Sequence, residues 1–439
     1  MDSIFKDYDI RGLYPDEITE DIAFRVGNAT AQHLKSNTLV IGHDARPSSL
    51  SLAKKLEEGI QTAGCNTINI GPVTSPLFYF SVNMLQAEGG IMVTASHNPP
   101  QYNGFKIVGK DSISIGLENG LREIEELTHA EQYQGSQKGT GKETSLIQDY
   151  VNFLLEVSTI EGMDLGKMDI VIDAGNGMTS LILDPLLKKI NVNATRMMFE
   201  VSDQPLRGSD VSKDENILEL KRKVVEMNAD CGVAFDGDGD RIAVVDNLGN
   251  RIRSDLVLAL LCKEPKIPLK TVYDFRISKA VRDSLEGTPS RVGHSHIKEM
   301  MRENNADIGV ELSGHFFFRE MHYSESAILA MLKLLKVLAL HRQPLSELVK
   351  PWLSHWHHSG EIVLDLLGRN PNQIIDSIKE AYPKESIDET DGITISSSHW
   401  WFNIRPSHTE SVMRLVIEAD SEEILTEKKK EISRLLEMY

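Results

Sequence analysis

The sequence predicts an α/β protein: three similar mixed α/β domains and a C-terminal α+β helix-on-sheet domain, set around a central cleft. Three observations predict this. First, a short apolar run ending on aspartate recurs as Leu39-Val-Ile-Gly-His-Asp44, Ile170-Val-Ile-Asp173 and Thr271-Val-Tyr-Asp274. Each is followed by residues with helical potential, such as Ser48 to Ala63 and Ser278 to Leu285, as when a buried strand feeds a crossover helix. Second, each unit holds a further apolar run that stops at a polar, glycine-containing loop. These loops are Thr94 to Asn98, Asp236 to Arg241 and Glu311 to His315. Ligands of open α/β sheets gather beyond the carboxyl ends of strands, so the three loops are expected to share one cleft. Third, the last segment pairs amphipathic helical patterns at Asn372 to Ala381 and Ser421 to Met438 with strand-like runs at Glu361 to Leu367, Gly392 to Ser396 and Val412 to Glu418.

At 439 residues the chain is long for one core and should divide into about three or four units. The polar stretch His129 to Glu143 reads as a linker, and Gly249-Asn250 and Pro351 mark later junctions. The expected domains are residues 1–140, 141–250, 251–352 and 353–439.

A net charge of −18 excludes a general nucleic-acid binder, which needs a basic surface to displace counterions. The charged residues 1–12 do not form a signal peptide, and the apolar run Leu256 to Cys262 is far short of the ~20 residues that span a bilayer, so no membrane segment is expected. The three cysteines, Cys65, Cys231 and Cys262, lack CxxC spacing and point to a reducing cytoplasm.

In Asp236-Gly-Asp-Gly-Asp-Arg241 three carboxylates alternate with glycines. An extended strand would hold alternate side chains about 7 Å apart, so the glycines must let the backbone bend around one cation. Three carboxylates with positions left open suit Mg²⁺ sharing a phosphate oxygen. An EF-hand fails, because Arg241 and Asn247 stand where that loop needs Gly and Glu. The other reactive segment, Thr94-Ala-Ser-His-Asn-Pro99, places Ser96 in a tight loop, with Asn103-Gly104 and Lys106 following. Serine is a weak nucleophile, and His97, Lys106 and the metal loop are the groups that would activate it. The G-x-S-x-G elbow of a serine hydrolase is absent around Ser96.

The Ser96 segment followed by the Asp236 to Arg241 loop resembles the α-D-phosphohexomutase family of phosphomannomutases and phosphoglucomutases. The likeness runs from Phe5-Lys-Asp-Tyr-Asp-Ile-Arg-Gly12 to Arg405-Pro-Ser-His-Thr-Glu410. It implies that Ser96 is phosphorylated and completes a Mg²⁺ site with Asp236, Asp238 and Asp240, and that a catalytic sugar 1,6-bisphosphate acts as activator. Tyr8 and Arg11 match the family's N-terminal active-site motif. Arg11, Arg241 and Arg276 would offset phosphate charge. Glu311-Leu-Ser-Gly-His315 resembles the sugar-binding loop, giving Glu311, Ser313 and His315 as substrate contacts. Val310 precedes it where glycine is common, and Ser324-Glu-Ser326 replaces an acidic-glycine pattern. Gly293-His-Ser-His-Ile-Lys298 matches another loop, with Gly293 near substrate, His294 near the transferring group and His296 structural. Arg405, Ser407, His408 and Thr409 resemble the phosphate-binding loop, a donor set suited to that anion.

The resemblance implies reversible isomerisation of hexose 6-phosphate and hexose 1-phosphate, mannose phosphate above all, through phosphoserine and a sugar 1,6-bisphosphate. The alternatives are a phosphoglucomutase or bifunctional enzyme, a metal-aspartate phosphatase, and a noncatalytic sugar-phosphate binder. Acid–base work falls to His97, Lys106 or His294, which the sequence does not rank. The protein is expected to be a monomer or small homo-oligomer.

Overall fold

The three aspartate-ended runs fold as strands Thr38–His43, Asp169–Asp173 and Lys270–Asp274, each an interior strand of its own sheet in the computed structural model. The structure describes residues 4–263, 268–366, 368–407 and 412–437. Each of these strands pairs in parallel with the next apolar run, Gly89–Val93, Cys231–Phe235 or Ile308–Val310. That run in turn pairs antiparallel with Tyr102–Gly109, Ile242–Asp246 or Phe316–Phe318. On its other side each aspartate-ended strand has a second parallel neighbour, Asn66–Pro72, Asn193–Met197 or Glu286–Ser290. Parallel pairing requires a crossover, which in the first unit carries the helices Ser49–Thr62 and Ser75–Met84. The common topology puts the three polar loops at equivalent strand ends.

Three expectations change in detail. The helix foreseen over Ser278 to Leu285 is confined to Lys279–Arg282, capped by the Ser278 hydroxyl at 3.2 Å from Ala280 N, because strand Glu286–Ser290 begins soon after. The linker foreseen at His129 to Glu143 lies against the first unit. Gly135 N and Gly139 N donate to the carbonyls of Thr62 and Gln61, and Gly141–Glu143 joins the edge of the first sheet. The second sheet extends past Gly249-Asn250 to the edge strand Arg251–Ile252.

One apolar core runs through the first three units, joining Val40 and Ile70, Ile172 and Phe235, and Ile308 and Val310. Helix Ala327–His341 lies within it and buries Ile328, Leu329, Met331, Leu332, Leu334 and Leu335. A helix with so wide an apolar surface is stable in water only when most of it is enclosed; this one packs against Ile147–Ser158 and Ser254–Lys263, while Lys333 and Lys336 reach out to Glu320 and Thr159. No helix of the described residues is long and apolar enough to cross a membrane.

The C-terminal unit has a separate core. Its antiparallel sheet has the order His357–Asp365, Val412–Ala419, Trp400–Pro406, Ile393–Ser396, Ser386–Asp388 among the described residues. Helices Pro371–Ala381 and Glu422–Glu437 cover it, with Ile374, Ile378 and Ile432 against Phe402, Ile404 and Leu415. Strand Trp400–Pro406, which carries Arg405, was not among the expected strands, although its Trp-Trp-Phe start favours an extended conformation.

In the first unit, helices Glu20–Leu34 and Ser49–Thr62 meet backbone to backbone at two glycines. A Cβ on Gly59 would lie 1.9 Å from the Phe24 carbonyl oxygen, and one on Gly27 would lie 2.2 Å from that of Leu56. Alanine at an exposed helical position gains up to about 1 kcal/mol over glycine, whereas overpacking costs about 1–3 kcal/mol. Since the obstacle is backbone, overpacking should win. Gly59→Ala is expected to lower the urea midpoint of the protein's unfolding; a raised midpoint would refute the contact.

Candidate active site

Ser96 lies at the end of Gly89–Val93 with φ of 49°, a left-handed conformation that non-glycine residues adopt only when their surroundings hold them there. Thr94 is the first restraint: its hydroxyl donates to Asp44 Oδ2 at 2.7 Å and accepts from Ser96 N at 2.9 Å. Arg46 is the second, donating to the carbonyls of Ser96, Asn98 and Pro99 at 2.7 Å and of Tyr102 at 3.0 Å. Arg11 bonds the Asn98 side chain and pairs with Asp9. Arg46 had no assigned part in the sequence-based site; its carbonyl partners lie 50 or more residues away and have no local signature.

The aspartate loop bends as its glycines require, but they do different work. Gly239 has φ of +76°, whereas Gly237 allows close approach: a Cβ there would meet Ser209 Oγ at 2.8 Å and the Ser96 carbonyl oxygen at 3.3 Å. The serine and aspartate loops of adjoining units therefore touch. Oxygens of Asp236, Asp238 and Asp240 lie within 4.8 Å of one another, and all three residues are buried. Lys106 Nζ reaches Asp238 Oδ2 at 2.8 Å and Asp240 Oδ2 at 2.7 Å, and the Ser75 hydroxyl donates to Asp238 Oδ2 at 2.6 Å. Among the described residues Asp236 Oδ2 and Asp238 Oδ1 have no hydrogen-bond donor, and Asp240 Oδ1 has only the His315 ring 3.4 Å away. Buried carboxylate oxygens without donors are costly unless a cation takes them up, so this set fits a divalent metal.

The local charges follow from these contacts. Burial, then Asp240 and Asp238, push Asp236 well above the usual carboxylate range. At Asp240 burial is outweighed by Lys106 and His315, which hold it well below that range. Burial also opposes the charge on Lys106, but Asp238 and Asp240 outweigh it and keep the ammonium protonated. Burial, then Arg241 and Arg11, hold His97 well below the ordinary histidine value, and burial, then Lys298, lower His294 to about 4. Both imidazoles are neutral near pH 7. His97 Nδ1 is 3.4 Å from Ser96 Oγ.

The third loop faces the same point. Glu311 accepts from Gly293 N at 2.8 Å and pairs with His315 Nδ1 at 2.8 Å; the Ser313 hydroxyl is 3.0 Å from that nitrogen. His315 Nε2 lies 3.4 Å from Asp240 Oδ1, linking the third loop to the aspartates. Burial and Arg241 oppose a charge on His315, yet Asp240 and Glu311 outweigh them and raise it to about 9. Tyr8 stands over Gly293, where a Cβ would come within 2.7 Å of its hydroxyl, and its ring meets those of His294 and His296 edge-on.

Tyr8, Arg11, Ser96, His97, Arg241, Arg276, Gly293, His294, Glu311, Ser313, His315, Arg405 and Ser407 line one cleft of about 2160 Å³. Lys106 and the three aspartates are buried and absent from that lining. His408 and Thr409 lie outside the described residues. Arg276 and Arg405 are buried; Arg276 pairs with Asp274 and Glu361, and Arg405 Nε is 3.9 Å from Asp391. Of His355-Trp-His-His358, His358 Nε2 bonds the Arg276 carbonyl at 3.0 Å. Glu361, Arg414 and Asp210, none of them anticipated, complete the wall.

Removing Lys106 isolates buried negative charge, at a cost of about 3 kcal/mol or more. Lys106→Met is expected to melt lower than wild type in a chelator and to regain more stability when divalent cation is added. Equal cation-induced shifts in both proteins would refute the pairing.

Four family models match the chain in order: phosphoglucomutase/phosphomannomutase α/β/α domain I over residues 2–135, domain II over 148–249, domain III over 255–354 and the C-terminal domain over 371–435. A phosphomannomutase of Methanocaldococcus jannaschii is 34% identical, covering 99% of this chain and 97% of its own length. A phosphomannomutase of Salmonella montevideo is 34% identical, covering 98% of each chain. The crystal structure of a phosphoglucomutase/phosphomannomutase family protein from Burkholderia thailandensis superposes with a TM-score of 0.88 at 26% identity, over 99% of this chain and 97% of that one. With the serine loop, the aspartate loop and the Glu311 to His315 loop converging on one cleft, the chain belongs to the phosphoglucomutase/phosphomannomutase family.

Proposed function

We propose that this protein interconverts hexose 6-phosphate and hexose 1-phosphate, with mannose phosphate as principal substrate, through phosphorylated Ser96 and a sugar 1,6-bisphosphate. The observation that carries the reading is the contact of the Ser96 and Asp236 to Asp240 loops, on a cleft that is also lined by Arg276, Arg405 and Ser407. A phosphatase needs no second anion site across the cleft, and a binding protein needs no serine beside a carboxylate triad. The names of the relatives support mannose as the sugar.

Asp236, Asp238 and Asp240, with Ser96, would hold Mg²⁺, which when bound neutralises charge on the transferring phosphoryl group. The remaining work falls to the chain's own groups. Arg405 and Ser407, with Arg276 beside them, take the phosphate that is not reacting, so that the free hydroxyl of the sugar faces Ser96. Glu311 is an anion, suited to accept hydrogen bonds from two ring hydroxyls. His97, neutral and near Ser96 Oγ, is the group best placed to take or return a proton there. Lys106 is held as an ammonium between two carboxylates and acts as fixed positive charge. The bisphosphate must then turn end over end, for which the cleft is ample, and the phosphate it arrived with passes to Ser96.

The test is a coupled comparison of mannose, glucose and glucosamine 1-phosphates with catalytic sugar bisphosphate and Mg²⁺. Mannose 1-phosphate is expected to turn over fastest, without release of inorganic phosphate, and Ser96→Ala to fall by at least about 1000-fold. Intact mass should show one phosphoryl group on the wild type and none on the variant. Conversion of none of the three sugars, with Ser96→Ala matching wild type, would end this reading.

A further inference from the structure

Glu361, on strand His357–Asp365, sits where the strand leaves a bulge after His358 and enters the cleft wall beside Ser359 and Gly360. Its two carboxylate oxygens are taken by guanidinium groups of two different units: Arg276 Nη1 bonds Oε2 and Arg414 Nη1 bonds Oε1. Arg405, the third arginine of this wall, adds its field; burial, then Arg276 and Arg414, and then Arg405 set the carboxyl, with the arginines holding it down at about 2. Arg405 itself is buried, and among the described residues its Nε has no hydrogen-bond acceptor, Asp391 standing 3.9 Å away. Two cationic forks thus hold one carboxylate, within the field of a third, on the wall assigned above to the substrate's distal phosphate.

A carboxylate bridging two guanidiniums makes the contacts that a phosphate makes, with fewer oxygens and less charge. Phosphate reaching Arg405 and Ser407 must share or displace those donors. The Arg276–Glu361 bond is also one of few links between the third unit and the C-terminal unit. Among the described residues the others include the donations of Lys279 N to Glu418 at 2.7 Å and Val292 N to Asp391 at 3.0 Å, the His358 to Arg276 carbonyl bond, Arg282 over the Trp401 ring at 4.6 Å and Lys279 over the Trp356 ring at 5.9 Å.

We propose that Glu361 is a resident anion of the phosphate wall: it holds Arg276 and Arg414 when no phosphate is bound, competes with substrate phosphate for them, and helps release the bisphosphate to turn. This rests on the mutase reading, because only a reaction that must bind, free and rebind the same intermediate gains from a built-in competitor. Glu361 is a positioning residue, acting through the arginines.

The experiment compares wild type with Glu361→Gln and Glu361→Asp, as full chains, by calorimetric titration with inorganic phosphate and by steady-state kinetics on the sugar phosphate. Charge-assisted hydrogen bonds of this kind are worth enough that Glu361→Gln is expected to bind phosphate about tenfold more tightly. Glu361→Asp, which keeps the charge but draws it back, should fall between. In turnover, Glu361→Gln is expected to lower KM and kcat together, since the retained intermediate turns over more slowly. A carboxylate that merely ordered the arginines would give the opposite: weaker phosphate binding and a raised KM on removal. Unchanged or weaker phosphate affinity in Glu361→Asp, the milder variant, overturns the proposal even if Glu361→Gln does not fold. If wild type converts no sugar phosphate while Glu361→Gln still binds phosphate more tightly, the mutase reading fails and the anion exchange stands. If wild type is active and neither variant gains phosphate affinity, the anion exchange fails and the mutase reading stands.

Discussion

Three carboxylates within 4.8 Å of one another in a buried pocket are the constraint on which the rest of this molecule depends. At an effective dielectric constant near 20, each pair of such charges repels by about 4 kcal/mol, several times the yield of an ordinary hydrogen bond. The loop itself supplies only part of the remedy: the amides of Gly239 and Arg241 donate to Asp236 Oδ1, while the Arg241 side chain turns to Asp210 and His315 and acts on the aspartates through its field alone. The compensating ammonium comes from Lys106, on strand Tyr102–Gly109 of the preceding unit, and Ser75 of that same unit adds a hydroxyl. The first two units are therefore joined by the charge of the site, and the joint fixes where Ser96 stands.

The aspartates that end the interior strands extend this logic to the other loops. Asp44 reaches Ser96 through Thr94. Asp274 Oδ2 accepts from Leu312 N at 2.8 Å, beside Glu311. Asp173 is paired with Arg207, which donates to the Phe235 carbonyl oxygen just before the aspartate loop. In each unit, then, a buried carboxylate at one strand end braces the reactive loop at the end of its parallel neighbour. A loop held this way spends little binding energy on ordering when ligand arrives.

This recurrence is the most legible feature of the sequence, because it is local: apolar runs, a terminal aspartate, a polar loop. From it the unit count, the strand pairing and the serine and aspartate loops can be read, and the motifs carry the rest of the cleft. The braces cannot be read. Arg46 and Arg207 act through carbonyl groups, which every residue possesses, so nothing in the sequence marks their partners. Glu361 escapes for another reason: as one acidic residue in a strand-like run it looks solvated, and only the bulge after His358 turns it toward Arg276. The stretch from His129 to Glu143 does not show by composition that it is packed, since its glycines serve contact with residues 61–66, where a Cβ on Gly139 would lie 1.9 Å from the Cys65 carbonyl oxygen.

The division of cores has a consequence for how the protein can vary. Ala327–His341 packs one of its apolar faces against Ile147–Ser158 of the second unit, so the third unit cut out alone would present that face to water. The first three units are, in this sense, one inseparable body. The C-terminal unit encloses its own Trp400, Phe402 and Ile417 and meets the third unit through hydrogen bonds and ion pairs. Contacts of that kind are readily exchanged, so substitutions within this last unit can reshape the stretch of cleft wall that carries Arg405 and Arg414 while the fold of the other three is left as it was.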